Sequence, residues 1–169
     1  MKRGLKNGQM QISFGMIFSI FLIIAFLAFA GYAIVKLLDF QCTAKMGTFI
    51  NDFKSDVDRI WTGGGGSQRV QYPICSKVKE VCFVSELPAK GISEVKEKYE
   101  EKLNFYQGTG NMFILPVGAV GKISEQNIPH IEIEKTTEEE NPLCIKSNKG
   151  KVSMLIKMSA GESLVTVSR

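Results

Sequence analysis

The pattern of hydrophobic and polar positions begins with one long uncharged segment near the N-terminus. No charged residue occurs between Lys6 and Lys36, and most side chains from 12 to 35 are apolar. A helix needs about 20 apolar residues to cross the hydrocarbon of a bilayer, whereas a cleaved secretory signal has an apolar core of about 7–15 residues. The pattern therefore predicts one transmembrane helix around 12–38, assigned to the segment 9–38, with the lipid bilayer as its partner. A wholly buried core helix is the weaker alternative, because so small a domain could hardly surround it.

A second helical pattern follows in the segment 39–62. Apolar residues recur there at steps of four and three, at Met46, Ile50, Phe53, Val57 and Ile60. This spacing places them on one face of a helix. No proline interrupts residues 12–61, so the two patterns are expected to form one helix of about 75 Å at about 1.5 Å per residue. Four glycines at 63–66 should end it, and 63–67 is predicted to be a glycine-rich linker.

Three aromatic residues of this amphipathic segment form a candidate packing or partner face. They are Phe49, Phe53 and Trp61. Exposed apolar side chains on a helix need something to cover them. The cover is expected to be the domain that follows, and a partner protein is the alternative.

The segment 68–169 changes to a period of two, which is typical of strands. Pro88 and Gly91 precede one stretch of helical spacing, from Ile92 to Tyr106. Tight turns are expected at 148–150 and at 160–161. The fold class is therefore α+β: a long N-terminal helix, then a small antiparallel sheet with one short helix. The expected strands are 70–74, 81–84, 112–117, 130–134, 143–146, 152–158 and 164–167.

Charge changes the picture at the N-terminus. The formal net charge is +4, and Lys2, Arg3 and Lys6 supply three of these charges, so the rest of the chain carries about +1. Nucleic acid is therefore not an expected partner. Short basic flanks stay in the cytoplasm, so 1–8 is predicted to be a cytoplasmic leader and the C-terminal domain to lie outside the cell membrane. Lys36 and Lys45 weaken the asymmetry and leave the inverted topology as an alternative.

All four cysteines lie in the predicted outer part, at Cys42, Cys75, Cys82 and Cys144. An even number of cysteines in an oxidising compartment indicates disulfides. Of the three possible pairings, the favoured one joins Cys75 to Cys82 across adjacent strands and Cys42 to Cys144. A zinc site is the alternative hypothesis for these cysteines, but the paired C-x-x-C spacing of zinc ribbons is missing.

Catalytic signals are scarce. His130 is the sole histidine, next to Pro129 in an expected strand, where a surface position is the ordinary reading. The glycines at 63–66 lack the Lys-Ser/Thr ending of a phosphate loop. Glu138, Glu139 and Glu140 are expected to form a solvated loop rather than a cation site. The sequence thus predicts neither an enzyme nor a cofactor or metal site.

The N-terminal residues from Lys2 to Phe14, KRGLKNGQMQISF, resemble the archaeal type IV pilin class with its class III signal peptide. The resemblance implies that a membrane peptidase removes the leader between Gly8 and Gln9. It also implies that the apolar helix packs in a filament core, so that the chain assembles with copies of itself or with other membrane subunits. Asn7 stands where the class has a basic residue, and the junction Arg3-Gly4 is the alternative.

A second class of function fits the same pattern. An ectodomain on a single-pass anchor would use the helix only as a tether, as a binding or accessory subunit of an envelope complex. An intact leader in the mature protein would favour this class.

Overall fold

A computed structural model describes residues 14–86 and 110–169. The predicted leader 1–8, the Gly8-Gln9 junction and the helix expected at 92–106 lie outside these residues. The chain divides into two compact units, Met1–Leu38 and Asp39–Arg169.

The first element, α1, is a 49-residue helix, Phe14–Thr62, which confirms the prediction of one long apolar N-terminal helix. Glycines end it, as expected. Gly64 has φ 73°, and Gly65 N donates to Ile60 O at 3.3 Å. A left-handed residue just beyond a helix satisfies its last carbonyls. The first strand begins at Gly66, inside the segment predicted to be a linker.

The second unit contains two antiparallel sheets, where one small sheet was expected. The α+β class is confirmed. The first sheet has the order β1-β6-β7, with β1 Gly66–Pro73, β6 Lys151–Met158 and β7 Thr166–Ser168. The second has the order β4-β3-β2-β5, with β2 Glu80–Phe83, β3 Met112–Leu115, β4 Glu125–Gln126 and β5 Leu143–Lys146. A 3-10 turn, Gly121–Ile123, and a four-residue helix α2, Ile133–Thr136, complete the described elements.

The core of this unit lies between the second half of α1 and the sheets. On β6 every second side chain is buried, as the period of two predicts. Phe53 of α1 is fully buried, with its ring centroid 5.7 Å from that of Phe83 and 6.0 Å from that of Tyr72. Aromatic contacts at these distances add to the burial of apolar area.

The prediction of a strand at 130–134 is wrong. His130 adopts the left-handed φ of 63°, Ile131 forms only an isolated bridge, and α2 starts at Ile133. Val165 N donates to His130 O at 2.8 Å. Because this bond holds Val165 against the 130–132 segment, β7 begins at Thr166, two residues later than predicted.

The turn expected at 148–150 is confirmed. Lys149 and Gly150 have φ values of 50° and 73°, and Asn148 N donates to Lys151 O at 2.8 Å. Two consecutive positive φ values are the signature of a type I′ hairpin turn.

Candidate functional site

The first half of α1 is a candidate site because its apolar side chains are exposed on every side. Phe14 is 84% exposed, Phe29 70% and Ile34 59%. By length and composition this is the one helix among the described residues able to cross a membrane. Water would penalise so large an apolar surface, so these side chains require apolar surroundings.

The second half of α1 differs, because its apolar stripe is already covered by the protein itself. Of the predicted packing or partner face, Phe49 and Phe53 are 1% and 0% exposed and lie in the core. For these two residues the structure supports packing against the domain, not a free partner surface. Trp61 remains 39% exposed.

Trp61 lies against His130, near the end of α1. The indole and imidazole rings stack with centroids 3.6 Å apart. Trp61 Nε1 donates to Ser163 O at 3.1 Å, and His130 Nδ1 lies 2.8 Å from Asp58 Oδ1. The cluster therefore ties α1 to two loops of the second unit.

Two disulfides are formed, but the favoured pairing was wrong. Cys42 is bonded to Cys75, with 5.0 Å between their Cα atoms, and Cys82 to Cys144, with 4.0 Å. Cys82 on β2 stands directly opposite Cys144 on β5. Cys75 lies in the turn before β2, where Val78 N donates to its carbonyl oxygen, and it faces α1 instead.

The disulfides argue against the alternative hypothesis of a zinc site. Glu80, Cys82 and Cys144 bring ligand atoms together, but zinc binds thiolates, and both sulfurs are in a disulfide. Such bonds persist in oxidising compartments. They indicate an oxidising environment for the second unit.

A shallow groove of about 540 Å³ contains several charged side chains, among them Glu132, Glu134, Glu138 and the ion pair of Lys135 with Glu162. The Lys135 ammonium, and next the Ser159 N–H, lower the pKa of Glu162 to about 2. Glu162 in turn raises the pKa of Lys135. The groove thus neutralises part of its own charge.

The glutamate run expected to be a solvated loop borders this groove. Glu138 and Glu139 are exposed, whereas Glu140 is half-buried and paired with Arg169.

One polar contact inside the core is not apparent from the sequence. Tyr72 is 5% exposed, and its hydroxyl donates to Asp56 Oδ2 at 2.6 Å. Burial and then this hydrogen bond to the carboxylate raise the pKa of Tyr72. A helical periodicity and a strand alternation locate Asp56 and Tyr72 separately, and only the packing of β1 on α1 joins them.

Comparison with known proteins gives no match: no protein-family model, no curated protein and no solved structure matches the chain.

Proposed function

We propose that this protein is a non-enzymatic, membrane-anchored surface protein, a type IV pilin-like structural subunit of archaeal kind. The observation that carries the proposal is the division within α1. Its first half presents apolar side chains on every side, while the stripe of its second half is buried beneath the sheets. A filament subunit needs both properties in one helix: an apolar half for the bilayer or the filament core, and an amphipathic half that carries the head.

The proposed orientation has the leader in the cytoplasm and the second unit outside. Lys2, Arg3 and Lys6 before the apolar segment support it through the positive-inside rule. The two buried disulfides support it independently, because cytosolic thiols are kept reduced.

The test is mass analysis of the intact protein from its native membrane, with thiols alkylated before and after reduction. We expect a chain that begins at Gln9 and four cysteines that react only after reduction. Gly8→Val should block processing, because the small residue before the cut is lost, while the matched variant Gly4→Val should be processed normally. Four thiols that react without reduction would contradict the outward orientation.

The second candidate is the single-pass anchored ectodomain that binds a partner in an envelope complex. The two disulfides and the core of the second unit favour it, since they stabilise a domain without any filament contact. A mature protein that retains residues 1–8 and is absent from sheared surface filaments would select this candidate and overturn the pilin proposal.

A further inference from the structure

The loop that follows β3 exposes apolar residues where a surface loop ordinarily carries polar ones. From Met112 to Gly121 the chain has no charged or polar side chain. Within it, the apolar loop 116–119 comprises Pro116, Val117 and Gly118, which are exposed, and Ala119, which is half-buried. Val117 is 53% exposed. A run of exposed apolar residues is unfavourable in water unless something covers it.

The apolar loop has a defined conformation. Ala119 N donates to Pro116 O at 3.1 Å, and Gly118 takes the left-handed φ of 83° that such a turn requires. Val117 is therefore held at the tip of an ordered turn.

The loop lies beside the first turn of α1 that belongs to the second unit. The Sγ atom of Cys42 is 3.8 Å from the carbonyl oxygen of Ala119. Cys42 follows Leu38, the last residue of the first unit, by four residues, and four residues reach at most roughly 14 Å even when fully extended. If the first half of α1 spans a bilayer, the apolar loop is thus held close to its surface.

Other exposed side chains at the same end suit this location. Only three large apolar side chains are exposed among the described residues of the second unit, and two of them, Phe40 and Val117, are at this end. Lys79 is also exposed, and its backbone N donates to Leu115 O at the base of the loop. An exposed apolar tip beside a lysine is typical of surfaces that meet phospholipid headgroups.

We propose that the apolar loop 116–119 inserts into the headgroup region of the same bilayer that the helix spans, with Val117 as its tip. The inference rests on the proposed membrane anchorage. It assigns the lipid surface as the occupant, because chain connectivity brings that surface to the loop, whereas no feature of the loop selects a protein partner.

The test uses the full-length protein in vesicles of phosphatidylcholine brominated high on its acyl chains, because bromine quenches indole emission at short range. Trp61 is the only tryptophan and lies about 29 Å from Cys42 along α1, at about 1.5 Å per residue. It therefore serves as an internal unquenched reference. Val117→Trp places a second indole at the loop tip. The matched control is Ala160→Trp, in the exposed turn after β6, whose last residue, Met158, pairs with Gly66 near the end of α1.

We expect brominated vesicles to lower the emission added by Val117→Trp at least twofold relative to unbrominated ones, and to leave wild type and Ala160→Trp unchanged. Equal emission of Val117→Trp in both vesicles, with the protein still resistant to alkaline extraction, would overturn the loop insertion and leave the anchorage standing. Release of the protein by alkaline extraction would overturn both.

Discussion

The rings of Trp61 and His130 stack with their centroids 3.6 Å apart and their planes 4° from parallel. His130 makes this contact from a left-handed backbone conformation, with φ 63°. A residue with a Cβ atom loses roughly 1–2 kcal/mol in that conformation. The stack and the contact with Asp58 offset this cost, and they hold the turn after Pro129 against the end of α1.

Two substitutions of His130 should separate the stabilising contacts of its ring from the strain of its backbone. We expect His130→Ala to lower the free energy of unfolding by about 1–2 kcal/mol, because both the stack and the contact with Asp58 are lost while alanine keeps the left-handed strain. His130→Gly is the matched control. It removes the same ring, but glycine adopts the left-handed conformation without strain, so this variant should be more stable than His130→Ala by about 0.5–1 kcal/mol. Denaturant unfolding of the full-length protein in detergent measures both, and a glycine variant less stable than the alanine variant would refute the strain.

The disulfide pairing gives a direct chemical prediction. Non-reducing proteolysis and mass spectrometry should recover one cross-linked peptide pair with Cys42 and Cys75, and another with Cys82 and Cys144. Replacing either pair with alanines should cost about 4 kcal/mol, since the closed loops span 33 and 62 residues. Recovery of a peptide that joins Cys75 to Cys82 would contradict the structure.

The pairing of these cysteines could not be predicted from the sequence. Periodicity located β2 and β5 correctly, yet the pairing of Cys82 with Cys144 requires β5 to lie beside β2, and strand order is a tertiary property. Cys75 and Cys82 are near in sequence, which made their pairing attractive. The turn after Cys75 directs that residue to Cys42 of α1 instead.

Local patterns with a single physical cause were predicted well. The apolar segment, the stripe from Met46 to Ile60 and the tight turn at 148–150 each follow from one rule of spacing or turn composition. The failure at 130–134 came from a pattern with two solutions. Alternating apolar and polar residues there fit a strand, but the left-handed His130 breaks the run, and no rule of periodicity detects that.

Truncation of two phenylalanines of α1 should affect stability differently. Phe53 is 0% exposed within the core, whereas Phe26 is 69% exposed in the first unit. Phe53→Ala should lower the free energy of unfolding of the second unit by about 3–5 kcal/mol, because it leaves a cavity. Phe26→Ala should leave it unchanged. Denaturant unfolding followed by near-ultraviolet circular dichroism distinguishes them, and equal effects would contradict the division of the helix.

The pair of Lys135 and Glu162 predicts a loss of stability in acid. The pKa of Glu162 is lowered to about 2 in the folded protein, from about 4.5 without its partners. Its contribution to folding is thus complete above about pH 4.5 and is lost as the pH falls towards 2. Glu162→Gln should therefore lose less stability than wild type between these pH values. Glu134→Gln, the same change of charge at an exposed glutamate of α2, should follow the wild-type profile.

The raised pKa of Tyr72 predicts a loss of stability in alkali. Burial and the bond to Asp56 raise its pKa in the folded protein above the ordinary value of 10, so the folded state retains a proton that the unfolded state loses. Stability from this group is complete below about pH 10 and falls as the pH rises further.

Tyr72→Phe removes the hydroxyl but keeps the ring among Phe49 and Phe53. We expect it to cost about 1–2 kcal/mol at neutral pH, because the Oδ2 atom of Asp56 loses its donor while Oδ1 keeps the contact with Arg59. The variant should then lose less stability than wild type on going to alkaline pH, since it has no proton to release at this site. If Tyr72→Phe and wild type declined in parallel, the buried bond to Asp56 would not be the cause.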